Sequence, residues 1–300
     1  MTVAVAEVPV SRWERLDPRL RHRISLTGVA LSLLAGWELY KLIWGVLGWT
    51  TPVRPDNVTM PHTWDMVIEL FRPVSRVGRI LIVELAFRSF WTLREAFLGF
   101  AIGAVIGFGL GVLFVRSRLA ERAFMPYVVA SQTVPIIAIA PMVVVWGGRL
   151  AFPQWMSVSI VSAYLTFFPV AINTLRGLRS PDPQALELMR SYAAKPKEVL
   201  WKLQFPAALP YIFTALKISA TASIVGALIG ELPAGFQNGL GRALLTFSQR
   251  YAVLSAKLYA TVIVTALVGI AFVGIVTFVE HRVVAQTRRD RSELVSEGAT

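Results

Sequence analysis

The chain contains no cysteine, which removes disulfides and thiolate chemistry from consideration. Histidine is nearly absent as well. His22, His62 and His281 stand far apart and outside every apolar run, so no metal site is expected, and no cofactor. Charged residues make up only 16% of the 300, against about a quarter in a typical soluble domain. No G-x-x-x-x-G-K-[ST] phosphate loop occurs, so ATP hydrolysis is not expected of this chain itself. An intramembrane hydrolase would need a nucleophile with its base, or metal ligands, at membrane depth. With no Cys or His inside any apolar run and no Ser/Lys or carboxylate pair set together, no catalytic residue is assigned.

What fills the chain instead is hydrocarbon: 55% of residues are hydrophobic and the mean hydropathy is +0.59. The apolar runs are long enough to cross a hydrocarbon layer of about 30 Å as helices rising about 1.5 Å per residue. Six spans are predicted, at about 24–47, 95–115, 123–146, 155–175, 210–232 and 253–279, in an all-α bundle set in the lipid bilayer. Three parts follow: an Arg-rich N-terminal segment, 1–23; a transmembrane domain, 24–280; and a charged, frayed tail, 281–300. The N-terminal segment is expected to be retained, because a full-length span without a small-residue cleavage site follows it. Glu38 and Lys41 stand at i, i+3 spacing in the first span, where they can pair on one face. Residues 50–75 read as a loop, and the basic stretch 76–94 as an amphipathic segment lying on the membrane surface. Residues 234–250 read as a short Gly-rich loop.

The formal net charge of +12 is not a nucleic-acid signature, since the cations fall between the spans rather than along a groove with interleaved aromatics. Five cations at the N-terminus, three in the 116–122 loop, six from Arg176 to Lys202 and four in the tail share one side of the membrane. Eight lie on the other. The positive-inside rule therefore predicts both termini and the 176–209 segment in the cytoplasm.

Three patterns point to packing or passage. Gly99, Gly103, Gly107 and Gly111 recur every four residues, forming a small-residue face on which a second helix can approach closely. Pro126, Pro135 and Pro141 must kink or break the third span and free backbone groups that need partners. Gln132 and Thr133 beside Pro135, with Asn173 in the fourth span, fit either a translocation pathway or plain kinked packing. Glu231, at the outer end of the fifth span, is either a functional carboxylate at membrane depth or an interfacial residue paired with Arg242. Gly239 and Gly241 let the following loop turn.

The 176–209 segment carries the strongest signal. Asp182 can cap a helix that opens on Pro183 and runs over 183–194, with Leu186, Met189 and Ala193 on one stripe. A second short helix is predicted over 196–203, separated from the fifth span by Pro206 and Pro210. Two short crosswise helices make a rigid knob suited to a groove on another protein. Glu187 alone would read as a solvated surface carboxylate.

Set together, Glu187, Ala193 and Leu203-Gln204-Phe205-Pro206 resemble the cytoplasmic "EAA" loop of ABC importer permeases. That pattern is Glu-Ala-Ala, a Gly six residues after the Glu, and a closing Ile-x-Leu-Pro. Pro135 to Gly147, Phe168-Pro169 with Asn173-Thr174, and Gly239-Leu240-Gly241 after Glu231 resemble the branch serving sulfonates, taurine, nitrate, pyrimidine precursors and riboflavin. The resemblance spans roughly residues 85 to 280. Leu188 and Met189 replace the two alanines, and Ala193 replaces the family glycine. Were φ positive there, alanine would cost about 1–2 kcal/mol, so a differently built turn is expected.

The resemblance implies a type I ABC importer permease in a bacterial inner membrane. It implies a homodimer docked on separate ATP-binding subunits and fed by an extracytoplasmic solute-binding protein. Glu187 would anchor the docking loop, and Pro206 would set the angle into the fifth span. A secondary transporter or channel is the rival reading, but no internal repeat is evident. Its ionisable residues within spans are few: Glu38, Lys41, Lys217 and Lys257. The branch points to a small organic solute, with a lean toward an aromatic heterocycle. The arginines at 72, 76, 79 and 88 suit either an anionic substrate or lipid headgroups.

Overall fold

A computed structural model describes residues 17–75, 78–233 and 238–297. Arg12, Arg15 and Arg76 of the charge count, and Gly235 of the loop after the fifth span, lie outside the described residues. Among the described residues the chain is helical with no β-strand, only an isolated bridge between Pro73 and Ile80. Five helices are long and apolar enough to cross a membrane, and a sharply bent pair is a sixth candidate span.

Helix α1 (Pro18–Leu47) exposes most of its surface and is held mainly through the loop that follows it. Glu38 and Lys41 do not pair with each other. Glu38 accepts from Thr63 N at 2.7 Å and lies 2.8 Å from His62 Nδ1, while Lys41 Nζ donates to Asn57 Oδ1 at 2.6 Å. Loop 48–62 folds back over the helix end and offers both charges nearer partners. It leads into α2 (Thr63–Leu70), a short helix within the stretch predicted to be all loop.

The basic stretch predicted to lie on the membrane surface is instead the first part of α3 (Leu81–Arg116), one unbroken helix of 36 residues and about 54 Å. Two of its charges find partners within the protein. Arg88 Nε donates to Glu84 Oε1 at 2.8 Å, one turn back, and Arg94 stacks over the rings of Trp91 and Trp155. Nothing then requires the chain to bend at the membrane boundary.

Helix α4 (Arg118–Ala130), a tight turn at Ser131–Thr133 and α5 (Ile136–Arg149) form the broken span, bent by 101°. Of the three prolines only Pro135 makes the break. It forces Val134 into extended backbone and stands at the start of α5, whereas Pro126 and Pro141 are carried inside their helices. The Tyr164 hydroxyl donates to Ser131 O and ties the turn to α6 (Gln154–Leu178).

Helix α6 is the centre of the molecule, gripped between α3 and α9 (Phe205–Gly230). Ideal Cβ atoms built on Gly99, Gly103, Gly107 and Gly111 would lie 2.4 to 2.6 Å from atoms of α6, so those positions bring the two backbones into contact. On the opposite side Gly226 and Gly230 of α9 lie against Ser162 and Val158. Hydroxyls then bridge the close-packed backbones. Ser162 Oγ donates to Ser223 O at 2.8 Å, Ser219 Oγ to Thr166 O at 3.1 Å and Ser159 Oγ to Glu95 O at 3.2 Å. Between helices that gain little from hydrophobic transfer inside lipid, close backbone contact and such bonds supply the association.

The Gly-rich stretch after Glu231 also holds more structure than predicted. Gly239 turns the chain at φ +100° into α10 (Leu240–Gln249). Its Leu240, Ala243 and Phe247 recur at i, i+3, i+7 and are buried with Leu81, Leu85 and Ala260. Helix α11 (Tyr251–Glu297) kinks at Leu254 and continues as helix past Glu280. Lys217 Nζ of α9 donates to Glu280 Oε2 of α11 at 2.8 Å. Lys257 Nζ donates to Pro73 O and Val74 O.

Candidate functional site

At one end of the bundle the chain builds a protruding knob. Asp182 Oδ1 accepts from Gln184 N at 2.9 Å, and Pro183 opens α7 (Pro183–Ser191) at a position where its missing N–H costs nothing. The helix ends three residues earlier than predicted, in a Schellman closure. Ala194 N donates to Met189 O at 3.0 Å and Ala193 N to Arg190 O at 2.9 Å, with Ala193 at φ +50°. The differently built turn expected for alanine is therefore not what forms. The positive-φ turn is kept and alanine is strained into it, because the two bonds satisfy carbonyls that would otherwise be orphaned.

Ala193→Gly should accordingly tighten this turn. Relief of about 1–2 kcal/mol of strain outweighs the about 0.5–1 kcal/mol of extra unfolded-chain entropy glycine brings. Amides 192–195 should exchange with deuterium severalfold more slowly than in the native chain. Equal or faster exchange would show that Ala193 is unstrained.

The second arm of the knob is not separated from the fifth span. Glu198 Oε2 accepts from Lys195 N at 2.9 Å and starts α8 (Pro196–Glu198), which passes through a wide π-turn at Val199–Gln204 straight into α9. Pro206 sits in the first turn of α9 and Pro210 one turn further on. The amide Pro206 lacks is one an α-turn would have used, so the chain widens just before it instead of breaking, while Pro210 is carried inside the helix. Phe205 packs edge-on against Phe108 of α3, and Leu203 is half-buried. Glu187 is exposed, as are Leu188 and Tyr192 at 55% and 75% of their surface. The knob thus presents an apolar tip and is joined through a continuous helical arm to α3 and α9.

At the other end sits a buried carboxylate latch. Glu231 is wholly buried and is not paired with Arg242. Its Oε1 accepts from Thr92 Oγ1 and its Oε2 from Gly241 N, each at 2.6 Å. Thr92 Oγ1 in turn accepts from Leu240 N at 2.8 Å. Glu231 and Thr92 therefore satisfy the first free amides of α10, where the helix dipole also favours a carboxylate. A Cβ on Gly239 would lie 2.3 Å from Glu231 Cδ, and one on Gly241 2.3 Å from Leu228 O, so both glycines make room as well as turn. Glu95, buried one turn beyond Thr92, lies near enough to Glu231 for the two carboxyls to influence each other, and its Oε2 is buried without a hydrogen-bond partner. Sequence pattern alone singles out neither Thr92, inside the stretch expected at the membrane surface, nor Glu95, at the start of the second span. Their i, i+3 spacing on a helix was the available signal.

The pathway candidates divide. Gln132, Thr133 and Pro135 are exposed together at the α4–α5 break. Asn173 is half-buried on α6 with its Nδ2 donating to Pro169 O at 2.8 Å. Among the described residues no hydrogen bond links Asn173 or Glu231 to the break. The arginines at 72, 79 and 88 are engaged rather than gathered: Arg72 with Glu69, Arg88 with Glu84 and Gly239 O, Arg79 over Phe87.

Comparison with known proteins agrees with this architecture. The family of binding-protein-dependent transport system inner membrane components matches residues 99–285. The formylaminopyrimidine transport permease protein ThiX of Halalkalibacterium halodurans is 35% identical over 181 residues, 60% of this chain and 69% of its own. The putative aliphatic sulfonates transport permease protein SsuC of Bacillus subtilis is 30% identical over 237 residues, 76% and 77% of the two chains. An inward-facing structure of the MetNI methionine ABC transporter superposes with a TM-score of 0.57 at 18% identity, covering 70% of this chain and 99% of that one, which is a likeness of fold. A broken-span helical bundle with a protruding helical knob, matched over most of its length by these permeases, belongs to the inner-membrane components of binding-protein-dependent transport systems, the multi-pass permease subunits of ABC importers.

Proposed function

We propose that the α7 knob docks into a separate ATP-binding subunit and passes its closure into the membrane helices. The carrying observation is the rigid, continuous arm: an apolar tip at Leu188 and Tyr192, a Schellman-closed turn, and an unbroken path through α8 and the π-turn into α9. Both termini and the knob lie on the cytoplasmic side in this reading, and α10 faces an extracytoplasmic solute-binding protein. The excess of arginine and lysine on the knob side supports that orientation.

A second copy of the chain completes the pathway. Non-helical backbone at membrane depth is tolerated only against protein or beside a water-filled cavity, and the 131–135 turn with Gln132 and Thr133 is exposed on a single chain. The cargo is a small organic solute. An uncharged aromatic heterocycle fits better than a sulfonate-like anion, because Arg72, Arg79 and Arg88 are already occupied by carboxylates or a ring.

The test is co-purification from the native membrane. An ATPase subunit should accompany the tagged chain and fall at least tenfold in yield with Leu188→Glu, which places a charge in a desolvated contact. Undiminished recovery with that variant would remove α7 as the docking element. Recovery of no ATPase with the native chain would favour a transporter working alone.

A further inference from the structure

Beside the knob lies an open cavity of about 1130 Å³ whose chemistry the docking role does not use. Four guanidinium groups surround it: Arg118 and Arg122 from the start of α4, Arg179 at the end of α6 and Arg190 on α7. One carboxylate stands among them. Glu121 takes Arg179 in a two-pronged pair, with Nη1 at 2.8 Å from Oε1 and Nη2 at 2.5 Å from Oε2. Among the described residues Arg118, Arg122 and Arg190 form no ion pair, so the cavity keeps an excess of three positive charges over its only anion. Three guanidinium groups facing one cavity are suited to a phosphate, whose oxygens accept several N–H bonds at once.

Apart from Gln204, the remaining wall is apolar. Val115 of α3 and Met125 and Val129 of α4 continue the cavity up the helix in the direction of the hydrocarbon core. Phe124 and Tyr127 on the same helix are exposed at 53% and 74%, as aromatic residues at the membrane boundary are. Charge at the mouth and hydrocarbon along the wall together describe an amphiphile rather than a free anion. We propose that this cavity binds the phosphodiester headgroup of an anionic phospholipid, with Arg118, Arg122 and Arg190 on the phosphate and an acyl chain along Met125 and Val129. The bound lipid bridges α4 to α7 and so braces the docking knob against the broken span. The proposal rests on the importer reading only in taking α7 as the element that meets the ATPase.

The experiment is native mass spectrometry of the full chain in dodecylmaltoside, titrated with dioleoylphosphatidylglycerol and, separately, dioleoylphosphatidylcholine. The native chain should prefer the anionic lipid by at least tenfold, and Arg118→Gln with Arg122→Gln should lose at least tenfold of that affinity. Arg149→Gln, at the far end of α5, should bind as the native chain does. Arg190→Gln alone, on the exposed face of α7, should weaken binding severalfold and stands in if the double variant does not fold. Sodium phosphate at millimolar concentration should leave the lipid bound. Equal lipid affinity in the native chain and the arginine variants would overturn the site. Full displacement by phosphate would overturn the lipid in favour of a soluble phosphate ester. Recovery of the ATPase is scored on the same preparations, so lipid binding without ATPase leaves this site standing while the docking role fails.

Discussion

Replacing Gly107 with alanine is expected to destabilise the bundle by about 1–3 kcal/mol, the usual cost of forcing a methyl group into a filled core. A Cβ at this position would meet Phe167 O at 2.4 Å and Val170 Cβ at 2.8 Å. A backbone carbonyl cannot rotate away as a side chain can, so α3 and α6 must separate along their contact. The control lies two residues away. Gly109 belongs to the same helix, faces open space, and has nothing within 4 Å of its Cβ position. Gly109→Ala should be neutral or slightly stabilising, because alanine is the better helix former by about 1 kcal/mol. Thermal unfolding of both variants in detergent reads the difference. Equal midpoints would mean that the α3–α6 contact is looser than its geometry implies.

Loss of the carboxylate at Glu231 should have a comparable effect through a different mechanism. Glu231→Ala leaves Gly241 N buried without an acceptor, at about 1–3 kcal/mol, and leaves the Thr92 hydroxyl only its long 3.3 Å bond to Arg88 O. Helix α10 should loosen first, so deuterium exchange at Leu240 and Gly241 should rise by well over tenfold while α6 stays protected. Glu231→Gln should be far milder. Its amide oxygen accepts from one donor, and its amino group can donate to Glu95, whose Oε2 otherwise has no partner. Thr92→Val combined with Glu231→Ala should cost less than the sum of the two, since both remove the Thr92–Glu231 bond. Unchanged exchange at α10 in Glu231→Ala would leave the latch without a structural role. Transport lost at unchanged stability would instead make Glu231 part of the pathway.

Periodic patterns were legible from the chain alone. The apolar runs, the four-residue glycine interval, the Asp182-Pro183 start of α7 and the spacing from Glu187 to Pro206 are all local. Local rules for helix capping, close approach and span length translate them directly. The errors occurred where a residue's partner is remote. Arg88 and Arg94 read as lipid-surface charges in the sequence, but Arg88 also reaches Gly239 O before α10, and Arg94 lies over Trp155 of α6. Glu231 looked like a partner for Arg242, eleven residues on, but its real donors are Gly241 and Thr92, the latter 139 residues away.

The sequence by itself determined that this is a multi-pass helical membrane protein with a short helical knob between two spans, because hydropathy and turn chemistry act over a few residues at a time. The tertiary structure alone decided which polar groups inside the bundle are satisfied, and by what. It decided that Pro135 breaks the third span while Pro206 is absorbed into a wide turn. It also decided that Ala193 is held at φ +50° by two closing hydrogen bonds. In each case the outcome depends on a competition between backbone strain and partners that folding brings together, and the one-dimensional order of residues does not contain that competition.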